Sequence, residues 1–128
     1  MSSYKITMAK KTRVLLPSLR EKKRYLAYEV ISGHKFNDAM EINKAIYETA
    51  KEFLGTLGRA RAGIVMINDK FNPEMQRGIL KVSNRHVDEL RASLVFIKSI
   101  NGKEAIVKSV GASGILKKAQ QRYLNAAQ

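Results

Sequence analysis

Arg20, Lys22, Lys23 and Arg24 put four cations into five consecutive positions, with Glu21 the single acid between them. Cations at that density suit one chemistry above others, the neutralisation of closely spaced phosphates along a polyanion backbone. In the residues that follow, Leu26, Tyr28 and Val30 recur at period two, which predicts a strand. A basic run leading into a core strand is held at fixed positions beside the fold. Lys117, Lys118 and Arg122 form a second basic group with no acid among them. They follow Gly111-Ala112-Ser113-Gly114, small residues at a predicted strand-to-helix junction, where N–H groups at a helix start can bind phosphate. Tight helix entry explains the same stretch equally well, and it is not a Walker sequence. With Lys108 on the strand before it, and Lys10, Lys11 and Arg13 near the N-terminus, these residues are the candidate polyanion contacts.

The same charge dominates the composition. Of 128 residues, 24 are Lys or Arg against 11 Asp or Glu, a net charge of +13, and the pI is near 10.2. A domain this basic is expected to meet a polyanion, and nucleic acid is the leading reading. A solvated basic surface with no partner is the bland alternative. An acidic membrane surface fits less well, since no segment sorts a basic face against bulky aromatics. Cysteine is absent, which excludes disulfides, thiolate zinc sites and cysteine catalysis. The N-terminus lacks the apolar core of a signal peptide, and no apolar run approaches a membrane span. A cytoplasmic chain with no membrane partner is expected.

Catalysis has no visible constellation. His34 and His86 are far apart in sequence, with no metal-ligand spacing around either. Asp38 and Glu41, like Asp88 and Glu89, fall at predicted helix starts, where carboxylates suit exposed N–H groups. No serine sits in a nucleophile elbow, and no acidic cluster suggests two-metal hydrolysis. The expectation is a chain with no catalytic residue, no metal site and no bound cofactor of its own.

The elements that must position the charges follow in order. Residues 1–16 are basic and expected to stay loosely ordered, either until they meet a partner or simply as an ordinary disordered terminus, two readings of equal weight, while residues 17–128 read as one domain. Ser18 and Glu21 have capping-box spacing, which allows a helical turn before the first strand, about Lys23 to Ile31. A helix opens at Asp38 and Glu41, carries Ile42, Ala45, Ile46, Thr49, Phe53, Leu54 and Leu57 on one face, and has Gly55 and Gly58 as stops. Strands are predicted from Ala62 to Phe71 and from Gln76 to Ser83, joined by Asn72 and Pro73. Asn84 then caps a helix bearing Val87, Leu90, Leu94 and Ile97; Asn101-Gly102 also suits a hairpin turn, but after a helix Gly102 reads as its stop. A fourth strand runs from Lys103 to Val110, and a last helix from Ser113 to Ala126 with Ile115, Ala119, Tyr123 and Leu124 inward. This order predicts an α+β sandwich of the split-βαβ, ferredoxin-like or RNA-recognition-like kind. It would have a four-stranded antiparallel sheet, both helices on one face, and an extra C-terminal helix beside or over the other.

RNA-recognition modules stack bases on aromatics of their third and first strands. The third-strand run here, Arg77-Gly78-Ile79-Leu80-Lys81-Val82, has no aromatic, and Tyr25 and Tyr28 cannot form a platform alone. Base stacking on the sheet is not expected, and both tyrosines read as core or edge residues.

Four ordered motifs carry a resemblance. They are Leu16-Pro17-Ser18-Leu19-Arg20-Glu21-Lys22-Lys23-Arg24-Tyr25, Asn84-Arg85-His86-Val87, Ile100-Asn101-Gly102-Lys103 and Val110-Gly111-Ala112-Ser113-Gly114-Ile115-Leu116-Lys117. Together they resemble the archaeal ribonuclease P protein component 2 family, from about Leu16 to Leu124; the residues to about Val14 lie outside. The resemblance implies a protein subunit of an RNA-based endonuclease that removes 5′ leaders from precursor tRNA. It implies chemistry in the RNA with its magnesium, and an α–β sandwich without the aromatic platform. It also implies a TIM-barrel-like protein partner, component 3, in a two-plus-two assembly where the chain would meet a second copy of itself. Other protein subunits and precursor tRNA complete the implied partners. The competing readings are another structural RNA-binding protein such as a ribosomal protein, a small ligand-binding regulatory domain, and a free-standing nuclease.

Overall fold

The computed structural model describes residues 22–125. Lys10, Lys11, Arg13, Arg20 and the Ser18–Glu21 spacing lie outside the described residues. β1 (Lys23–Ser32) is the central strand of the sheet. Its alternation feeds two cores. Leu26, Tyr28 and Val30 enter the larger one, while Tyr25 and Ala27 point into a smaller one on the opposite face. Tyr28 is 1% exposed, and this burial pushes its hydroxyl pKa well above the ordinary tyrosine range.

α1 (Met40–Ala62) buries Ile42, Ile46 and Ala50 against the larger core. Asp38 Oδ1 accepts the N–H of Met40 at 2.9 Å, so one of the two predicted carboxylates does hold an exposed helix donor. The predicted stops fail for a clear reason. Gly55 leaves helical conformation (φ 79, ψ 169) and kinks the helix, but the chain resumes it as far as Ala62. The stop is Gly63, left-handed at φ 60, where the chain turns back into β2 (Val65–Asn72).

β2 returns through a turn at Asn72, whose Oδ1 accepts the N–H groups of Glu74 and Met75, into β3 (Arg77–Ser83). A 3₁₀ turn, Asn84–His86, precedes α2 (Val87–Leu94). Asn84 is therefore not an N-cap. Its backbone N–H donates to Lys22 O at 2.7 Å and ties the turn to the start of β1.

The sheet has five strands in the order β2-β3-β1-β5-β4, one more than expected. The addition is β4 (Ser99–Ile100), which folds onto β5 (Lys103–Ser113). Asn101 at φ 50 and Gly102 at φ 79 form the hairpin turn between them. Asn-Gly favours that paired left-handed turn, so Gly102 closes a hairpin rather than ending a helix that already stops at Leu94.

The predicted last helix is shorter and irregular: α3 (Leu116–Ala119), then a π turn over Gln120–Leu124. Ile115 is extended and 52% exposed, not inward. Leu116, Ala119, Tyr123 and Leu124 cover the second face over Ala27 and Ile79. Two side chains of the β2–β3 hairpin anchor the turn. Arg77 Nη1 donates to Tyr123 O at 2.9 Å, and Asn72 Nδ2 donates to Leu124 O at 2.7 Å. The centre of the face that an RNA-recognition module uses for stacking is thus occupied by the protein's own C-terminal turn.

Candidate nucleic-acid interface

Antiparallel register brings distant basic segments to one end of the sheet. Lys23 lies opposite Ser83 on β3, and Tyr25 lies opposite Ser113 on β5. The start of β1, the 3₁₀ turn after β3 and the exit of β5 must therefore meet. They line an open groove of about 660 Å³ formed by Lys22, Lys23, Arg24, Asn84 and Gly114.

Lys22 and Lys23 are exposed, and Arg24 is half-buried. The Lys23 ammonium lies 3.1 Å from where a Cβ on Gly63 would stand, at the C-terminal end of α1, where a cation complements the helix dipole. Lys117, Lys118 and Arg122 are exposed on the turn that starts just past Gly114. Of the predicted small-residue loop, only Gly114 reaches the groove. Gly111 stays within β5, where a Cβ would fall 2.4 Å from the Tyr123 ring and hydroxyl.

Lys108 is not brought to this end. It stands on β5 opposite Glu29, and its ammonium is 3.5 Å from Glu29 Oε1. Arg77 Nε approaches the other Glu29 oxygen at 3.6 Å, so the carboxylate is shared by cations from both neighbouring strands. Five residues of strand, about 17 Å, separate Lys108 from Ser113.

Sequence reasoning missed Asn84 and the exposed Arg61 and Arg85 as members of the basic end. Arg85 sits beside Asn84 in the turn, and Arg61 sits two residues before Gly63. The available signal was the Asn84-Arg85 pair itself, read only as a helix start. Elsewhere, His86 Nε2 is 3.9 Å from Glu89 and Arg91 is 3.7 Å from Asp88, pairs within one helical turn. Among the described residues no three His, Asp or Glu converge on a metal-sized site, and no helix is long and apolar enough to cross a membrane.

The family model described as Rpp14/Pop5 matches residues 24–124, from β1 through the π turn. The chain belongs to the Rpp14/Pop5 family. It is 40% identical over 117 residues to ribonuclease P protein component 2 of Thermococcus kodakarensis, covering 91% of this chain and 95% of that one. With the protein of the same name from Methanosarcina acetivorans it shares 38% over 110 residues, 86% of this chain and 80% of the other. A chain in the cryo-EM structure of yeast ribonuclease MRP has a TM-score of 0.55 at 14% identity, covering 84% of this chain and 89% of that one. That likeness shows a common fold. The family match starts at Arg24, so a role for Lys22 and Lys23 rests on charge and placement.

Proposed function

We propose that the chain is a protein subunit of ribonuclease P that grips the RNA with the basic end of its sheet. The observation that carries this reading is the convergence of Lys22, Lys23, Arg24, Asn84 and Gly114, from three separate segments, into one groove. Support comes from relatives named ribonuclease P protein component 2. The action is electrostatic. Lysines and arginines neutralise phosphates, offset the self-repulsion of folded RNA and hold its active shape, while the RNA and its magnesium carry the cleavage of precursor tRNA. Base stacking plays no part, because Tyr28 is buried and the C-terminal turn covers the second face.

The protein partner, component 3, would meet apolar surface away from the basic end. Phe53 of α1 and Phe96, just past the end of α2, have ring centroids 5.3 Å apart and are both exposed, with exposed Leu57 on α1 and Val95 beside Phe96. On the sheet, the cross-strand pair Ile31 and Ile106 is also exposed.

A ribosomal protein would share the size, charge and fold, so affinity for two RNAs separates the readings. The chain should bind ribonuclease P RNA at least about tenfold tighter than a ribosomal RNA fragment of equal length at the same salt. Equal affinities would contradict the assignment.

A further inference from the structure

The groove at the basic end holds five residues, and four of them recognise only charge or offer only backbone. Lys22, Lys23 and Arg24 bind any phosphodiester, ribose or deoxyribose alike, and Gly114 contributes no side chain. Asn84 is different. Its carboxamide carries a donor and an acceptor with no charge, the pairing that a hydroxyl satisfies in both directions. The backbone holds it in position, since its N–H is bonded to Lys22 O at 2.7 Å. Asn84 is exposed, so its amide is available to a ligand lying along the cations.

The surroundings have further polar capacity. Arg24 Nε, Ser83 Oγ and His86 Nδ1 are buried, and none has a hydrogen-bond partner among the described residues. Arg24 is in β1, Ser83 ends β3, and His86 closes the 3₁₀ turn that holds Asn84. Only Arg24 of the three lines the groove. Buried donors are nearly always paired, so its unpaired Nε–H is a second polar group at the groove wall for a ligand to satisfy.

Resting on the proposal that this end meets RNA, we infer that Asn84 reads the ribose 2′-hydroxyl and makes the groove selective for RNA over other polyanions. The cluster of cations sets position along the backbone. The carboxamide beside it tests the sugar, the one feature that distinguishes RNA from DNA at a given backbone position.

The test uses the full chain and a fluorescent RNA hairpin in two forms, one with natural riboses and one with 2′-fluoro substitution, which keeps the helix form but removes the hydroxyl donor. Anisotropy titrations should give natural RNA about a three- to tenfold advantage, the range expected for one hydrogen bond. Asn84→Ala should bring that ratio close to one by weakening the natural hairpin alone, and Asn84→Gln should restore part of it. Lys22→Ala should weaken both hairpins equally and keep the ratio. Binding of both hairpins with equal affinity by the unmodified chain overturns the inference and leaves the RNA-contact reading standing. A ratio that survives Asn84→Ala also overturns it. Failure to bind either hairpin overturns the RNA-contact reading, and this inference with it.

Discussion

Gly78→Ala should lower stability by about 2–3 kcal/mol, the scale of overpacking in a filled core, and should drop Tm by on the order of 10 °C. The added Cβ would stand 2.4 Å from the Tyr28 hydroxyl and 2.5 Å from the ring carbon that bears it. Gly78 and Tyr28 are register partners, and Tyr28 is 1% exposed within the larger core, so the ring has nowhere to swing. Gly111→Ala makes an equally close approach, 2.4 Å to Tyr123, but Tyr123 is only half-buried in the last described turn. That ring can move outward, and a loss of about 1 kcal/mol is expected. Thermal melts followed by circular dichroism compare the two. Adding Tyr28→Leu to Gly78→Ala should cost less than the sum of the single changes, because the two side chains compete for one space. Equal losses for the two glycine variants would contradict this account of the packing.

The second large effect concerns binding. Reversing Lys22, Lys117 and Lys118 to Glu should make the slope of log affinity against log salt shallower by roughly two to three units. The accompanying loss at physiological salt should be about a hundredfold, from the release of three fewer counterions. These three residues are chosen because all are exposed. Arg24 is half-buried, and Lys23 neutralises the end of α1, so reversing either would mix a folding cost with the binding effect. Lys108→Glu is the matched control. Its charge already faces Glu29, away from the groove, so the salt slope should change by less than about one unit. Filter binding across a salt series measures both. An unchanged slope in the triple variant, or an equal change in the control, would remove the basic end from the RNA contact.

What could be read from the sequence depended on the range of the interaction. The period-two run of β1 and the apolar stripe that opens α1 are local signals, and both elements form there, but α1 runs on to Ala62 and leaves Phe53 and Leu57 of the predicted stripe exposed. β4 has two residues, too few to show any period, and its Asn-Gly turn reads equally well as a helix end. Gly55 reads as a terminus in the sequence, but a positive-φ glycine ends a helix only where the next residues leave its axis, and here they resume it. The π turn depends on Tyr123 lying over Gly111 and on Arg77 and Asn72 reaching its carbonyls, contacts spanning 46 and 52 residues for the two hydrogen bonds. Individual cations of the site were visible from their density. Their assembly was not, because the meeting of Lys23, Asn84 and Gly114 follows from strand register across the whole chain. The same register separates Lys108 from them.

If this chain supports an RNA catalyst from its basic end, the particle's cleavage must depend on it. Precursor-tRNA cleavage by a reconstituted ribonuclease P particle tests it most directly, with the natural chain, without it, and with the Lys22, Lys117 and Lys118 reversal, across a magnesium series. Omission should slow cleavage or raise the magnesium requirement, the triple variant should resemble omission, and the chain alone should cleave nothing. Cleavage that is identical in all three particles would contradict this.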